Sequence, residues 1–156
     1  MEARALCKVA LGFLVIIAFG ADLNAQAAIP WEEVGQVGLG VVGGVAGAAV
    51  AIAFISEVTP QINSAWGSTA AVIGSLTVCD GLGAAAGVLL AGKMWESEGN
   101  VGGCFLGGLA GGLVSAFTEP LLYVIGIPEN VTEFLGMALL PILPAIGAYV
   151  GYHWRQ

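Results

Sequence analysis

The chain has 156 residues, 58% of them hydrophobic and only 10% charged, with a mean hydropathy of +0.91. Soluble domains carry about a quarter charged residues, so this composition excludes an ordinary soluble domain and points to an integral membrane protein. Eleven Asp and Glu against 4 Lys and Arg leave a net charge of −7 and no basic cluster, which argues against nucleic acid or anionic headgroups as partners.

In chain order, Arg4 and Lys8 precede the 12-residue apolar run "VALGFLVIIAFG", and "ADLNAQA" ends in the small-x-small pattern Ala25-Gln26-Ala27. These are the parts of a secretory signal peptide over residues 1–27, leaving 28–156 as the mature chain; the alternative is an uncleaved signal anchor. No cysteine stands beside the cleavage point, so no lipid anchor is expected. The route implied is secretory, into the cell or inner membrane.

Beyond Pro30 the pattern predicts an all-α, polytopic bundle with four spans: Val34–Ile55, Trp66–Gly92, Val101–Ile127 and Phe134–Tyr152. Each is long enough for a helix to cross a bilayer, which takes roughly 17–25 apolar residues. The connections "SEVTPQINSA", "KMWESEGN" and "PENVTE" hold most remaining charges, and Trp31, Trp66, Trp95 and Trp154 fall at span ends, where indole rings favour the headgroup interface. A cleaved signal puts the mature N-terminus outside, with Lys93 and Arg155 outside as well, against the positive-inside tendency. Asn130-Val131-Thr132 matches a glycosylation acceptor but would face the cytoplasm in this orientation.

The sequence matches itself at an offset of 64 residues: Val37, Gly38, Gly43, Gly44, Ala46, Gly47 and Val50 recur as Val101, Gly102, Gly107, Gly108, Ala110, Gly111 and Val114, and Gly83, Ala84 and Gly87 as Gly147, Ala148 and Gly151. This predicts two tandem pseudo-symmetric hairpins, roughly 34–92 and 98–152, related by an axis along the membrane normal. At this offset Asp80 corresponds to Pro144. Helix interruptions are expected at Gly81, Pro120, Pro141 and Pro144, as kinks or as irregular backbone lining a wet cavity.

Gly99, Gly103, Gly107, Gly111 and Ser115 recur every four residues in the third span. Glycine weakens a helix by about 1 kcal/mol relative to alanine in water, but in lipid the helix is retained and glycines on one face let another backbone approach. Gly103-Gly107-Gly111, with Gly40-Gly44-Ala48 and Gly43-Gly47-Ala51 as near matches, resembles the glycine-zipper class of membrane proteins. The resemblance covers the first and third spans. That class includes homo-oligomeric channels, so what it implies is close helix packing, with a second copy or a membrane partner helix.

Asp80 near mid-span and Glu119 about two-thirds along its own span are the candidate ion, proton or intramembrane polar site, because ionisable groups in a span are costly. Without a cation at their depth, they are expected to be protonated and bonded to Thr77, Ser75, Thr118 or Tyr123, or to face water or a bound cation; Asp80 could instead cap a half-helix starting at Gly81. "AFTEPLLYVIG" invites comparison with rotary-ATPase proteolipid subunits, but glycines and Glu119 share one helix and no Arg-Gln-Pro-type loop exists, so that family is rejected. Cys7, Cys79 and Cys104 read as small buried hydrophobes, with a Cys79–Cys104 bridge unsupported by spacing, and no metal site is indicated.

The only histidine, His153, lies in the C-terminal tail, so no nucleophile pair can be assembled, and neither an enzyme nor a cofactor is expected. Two functions remain: a small pore or carrier for an ion or small solute, or a non-transporting structural or assembly component of a membrane complex. The mature protein is expected to start at Ala28. Intact mass of membrane-extracted protein checks this, and a mass that includes residues 1–27 would make the leader a fifth span.

Overall fold

A computed structural model describes residues 31–154; the signal segment and its cleavage point, with Arg155, lie outside the described residues. The described chain forms four long helices: α1 (Trp31–Val58), α2 (Ala65–Met94), α3 (Val101–Val124) and α4 (Glu129–His153). All four are long and apolar enough to cross a membrane. No strand occurs among the described residues.

Local chemistry sets most of the ends. A 3-10 turn over Thr59–Gln61, with Pro60 in its first turn, stops α1. Ser64 then caps α2 by accepting from the Gly67 amide at 3.0 Å, and Asn100 caps α3 by accepting from Gly103 at 2.9 Å. Such caps satisfy amides that a helix start leaves orphaned. Gly126 at φ 86 ends α3: its amide donates to the Tyr123 carbonyl and that of Ile127 to Leu122, the paired bonds of a Schellman motif. That motif is why the helix stops at Val124 and not at Ile127. The helix α4 starts at Glu129, five residues before the apolar run at Phe134, because Pro128 supplies the break and Glu129 suits the positive helix start.

The interruptions expected within the spans are not found as breaks. The helix α2 runs through Asp80-Gly81, α3 through Pro120, and α4 through Pro141 and Pro144. For α2 the reason is packing: a methyl group on Gly81 would come within 2.7 Å of the Gly108 carbonyl oxygen, so this glycine serves a helix contact.

The neighbours in sequence pack as antiparallel pairs, α1 on α2 and α3 on α4, while α2 and α4 also meet across the centre. The pair α1·α2 is a ladder of backbone contacts: a methyl on Gly87 would overlap the Leu39 carbonyl, one on Gly43 the Gly83 carbonyl, and one on Gly47 the Cys79 carbonyl. The pair α3·α4 repeats it with Gly151 and Gly103, Gly107 and Gly147, and Gly111 and Leu143. Each rung of the second ladder is a rung of the first moved 64 residues along both helices. One step is four residues up one helix and four down the other, as antiparallel helices with glycine at every fourth place require.

Because backbones touch, the interior holds mainly small residues. Ala84, Ala85, Ala91, Ala145 and Ala148 are fully buried, and Val88 and Cys104 are among the largest side chains enclosed. The bulky apolar groups point outward, including Ile52, Phe54, Leu90, Leu106 and Phe117. Trp31, Trp66 and Trp154 are exposed at helix ends, and Trp95 folds over Gly35.

Gly107→Leu is expected to disrupt the fold far more than Leu113→Ala, since a leucine would collide with the Gly147 carbonyl whereas Leu113 is 47% exposed. Thermal stability of the two variants in detergent checks this; equal stability would refute the ladder.

Candidate functional site

Asp80 lies at the middle of α2 and is only 1% exposed. The ladder puts it there. Gly47 lets the Cys79–Asp80 backbone press against α1, and Gly44, one residue off the ladder, faces the carboxyl group directly. A methyl on Gly44 would sit 2.8 Å from Asp80 Oδ1 and 3.2 Å from the carbonyl oxygen of Pro141 on α4. The carboxylate therefore stands between α1 and α4.

Neither carboxyl oxygen of Asp80 has a hydrogen-bond partner among the described residues, and the same holds for Thr77 Oγ1, one turn earlier on α2. The partners expected from the sequence do not reach it. Thr118 Oγ1 donates to the Val114 carbonyl of its own helix at 2.8 Å, and Tyr123 is 68% exposed. Nor does Asp80 cap a half-helix, since α2 is continuous.

Glu119 is elsewhere. It is exposed near the end of α3, its side chain lying over Gly136 of α4, where a methyl would meet Glu119 Cβ at 3.3 Å and Oε2 at 3.5 Å. Gly136 precedes Pro141 by five residues, about 7.5 Å along the helix. The two carboxylates thus occupy different depths and different faces, and no shared site joins them.

The prolines of α4 are both buried. Pro144 has no N–H to give to the carbonyl of Leu140 four residues earlier, and Ser115 Oγ donates to that oxygen at 3.1 Å instead. A neighbouring helix thus repairs the missing bond, which is why α4 passes through the proline. Pro141 likewise leaves the Met137 carbonyl without its usual donor.

A second polar cluster, unnoticed in the sequence, closes the end where α1 begins and α4 stops. Gln36, also 1% exposed, donates through Nε2 to Ser97 Oγ at 3.1 Å, and its Oε1 lies 2.8 Å from His153 Nε2. Tyr152 donates its hydroxyl to the Ser97 carbonyl, and the Asn100 amide donates to the Tyr152 carbonyl at 2.8 Å. The His153 ring meets Tyr149 and Tyr152 at centroid distances of 4.6 and 5.1 Å. Gln36 could have been suspected as the one amide in an otherwise small and apolar first span. His153 could not, because its partner is 117 residues away.

Cys79 and Cys104 are both free thiols, and Cys104 points its sulfur at the Ala85 carbonyl at 3.5 Å. No group of three or more His, Cys, Asp or Glu side chains that could hold a metal ion occurs among the described residues. On the outside, a groove runs along α3 and α4, lined in part by Leu106, Ala110, Val114, Val150 and Trp154.

Ser115→Ala should cost roughly 0.6–1.7 kcal/mol, the range for hydrogen bonds between membrane helices. In a Pro144→Ala background the cost should fall, because the restored N–H serves Leu140. A double-mutant cycle on unfolding in detergent measures this coupling, and additive effects would remove the repair role of Ser115.

No family model matches this chain, and neither a curated protein nor a solved structure matches it.

Proposed function

We propose that the protein is an integral membrane protein built from two tandem hairpins, and that it works as a small pore or carrier for an ion, with Asp80 as its central group. Insertion in a bilayer is supported by the reversal of the usual burial pattern: small residues inside, bulky apolar residues outside on four long helices. The tandem reading is supported by the two contact ladders at one offset. Both ladders lie within the chain, so Gly43, Gly47, Gly103, Gly107 and Gly111 are engaged without a partner.

One observation carries the ion reading. Of the four buried polar or charged side chains, Gln36, Ser115 and Thr132 are hydrogen-bonded, and Asp80 alone has no partner among the described residues. An unpaired polar group enclosed in protein is expensive, and an acid costs more than an amide or a hydroxyl. Such a group is retained where it exchanges its ligand.

The second reading is a non-transporting component that docks to another copy or to a partner helix. The outer groove of α3 and α4 favours it, since small residues there leave space for a second surface.

Flux of ions into liposomes holding the purified protein separates the two. In the first reading Asp80→Asn reduces flux to background while the fold survives, because the amide keeps the size but cannot ionise. In the second, no flux is seen and Asp80→Asn is tolerated, while Asp80→Leu destabilises because its branched side chain does not fit the place of the carboxyl group against Gly44 and Pro141. Unchanged flux and stability in both variants would end any role for this residue.

A further inference from the structure

The carboxyl group of Asp80 is packed directly on the α1 backbone at Gly44, and neither of its oxygens has a hydrogen-bond partner among the described residues. Backbone closes on α2 from two sides at this level: Gly47 of α1 meets Cys79 and the Asp80 Cα, and Gly81 meets Gly108 of α3. A metal ion held here would need a shell of oxygen ligands turned towards one point. Backbone packed this closely leaves no place for such a shell, and a proton needs none.

Charge points the same way. The other titratable groups on the elements around Asp80 are Cys79 and Lys93 on α2, and Cys104, Glu119 and Tyr123 on α3; α1 has none between Glu33 and Glu57, and α4 none between Glu133 and Tyr149. Lys93 is the single cation among them, thirteen residues away or about 20 Å of helix. An ionised carboxylate enclosed without a donor or a counter-ion is so costly that the group takes a proton instead. The neutral acid is the form that this packing accepts.

Packing differs on the two sides of Asp80. From Asp80 to Gly92, α2 buries residues in every turn, and the bundle end beyond is closed by the bonds among Gln36, Ser97, Tyr152 and His153. In the other direction nothing is buried over residues 65–79 of α2, on α1 after Ala51 or on α3 after Ser115, and α4 buries only Thr132 and Gly136 before Pro141. Thr77 stands on this looser side, three residues before Asp80 and on the same helical face. Its Oγ1 is enclosed and also without a partner. A hydroxyl can accept one proton while it donates another, which a carbonyl cannot do.

We propose that the ion of Asp80 is a proton, taken up from the side of the α1–α2 and α3–α4 turns, with Thr77 as the residue that passes it on. This rests on reading Asp80 as the central group of an ion pathway, and it names the ion. The step is an acid–base exchange: the carboxylate takes a proton from hydronium, leaving water and the neutral acid, and the reverse reaction releases it.

The test uses the full-length protein in phosphatidylcholine liposomes. Infrared spectra read the C=O band of a protonated carboxylic acid, and isotope-labelled aspartate assigns it without any substitution, because Asp80 is the single aspartate beyond residue 27. At neutral pH the acid band should be present, equal in sodium, potassium and choline chloride, and shifted on transfer to heavy water. A pH dye enclosed in the liposomes should report proton flux. Asp80→Asn should remove band and flux at an unchanged melting temperature. Thr77→Val should keep the band and the melting temperature but slow both the deuterium shift and the flux about tenfold, whereas Tyr152→Phe, which removes a hydroxyl at the closed end, should slow neither. An ionised Asp80, or an acid band lost in sodium or potassium, would overturn the proton, and flux of that cation would leave the pore or carrier standing. Proton flux that survives Asp80→Asn would overturn the site alone. An acid band without flux of any ion would overturn the pathway and this proposal together. No slowing by Thr77→Val, or slowing by Tyr152→Phe, would overturn the side of entry.

Discussion

The whole arrangement depends on backbone pressed against backbone at Gly43 and Gly83 and again at Gly107 and Gly147. At each place the carbonyl of one glycine faces the carbon of the other, an approach that any side chain would prevent. Dispersion and weak Cα–H···O contacts, the latter worth about 0.5–1 kcal/mol each, replace the hydrophobic drive here, and they add up only because the ladder holds three rungs in each pair. A helix pair joined this way is close and has few ways to slide, since a shift by one residue would bring Val42 or Leu106 into the seam.

That closeness decides what can be inside. With no room for leucine or phenylalanine, the interior is alanine, glycine and a few mid-sized groups, and polar side chains become some of the largest objects within it. Gln36, Asp80 and Pro144 share that rank with Val88 and Cys104. Gln36 is tied into a network at the bundle end, and Pro144 is compensated by Ser115. Asp80 has no such arrangement, and the same glycine spacing that excludes bulk around it sets its carboxyl group against the bare backbone at Gly44. The functional proposal and the packing thus share one cause.

The two halves are equal in their seams and unequal at their centre. Position 80 carries a carboxylate in the first half, and the equivalent position 144 carries a proline in the second. Two acids near one axis would repel and one would have to remain neutral. The single acid of the first half instead stands near the Pro141 carbonyl of α4, and α2 and α4, which meet each other, are the helices that differ.

The sequence by itself determined the helical class, the number of long apolar segments, the places of the tryptophans, and the glycine periodicity, because these depend on composition and on spacing along one helix. It also singled out Asp80, since a charge in an apolar run is conspicuous without any knowledge of neighbours. It marked Gly81, Pro120, Pro141 and Pro144 as interruptions, whereas the helices run on through all four. At Gly81 a neighbouring helix fills the contact and at Pro144 Ser115 takes up the freed carbonyl, and such a neighbour is invisible in a linear reading. It grouped Glu119 with Asp80, although exposure on an outer face separates them. The role of Gly44, the repair by Ser115 and the joining of Gln36 to His153 were decided by tertiary structure alone, since each is a relation between atoms on different helices and depends on which face of each helix the ladder turns inward.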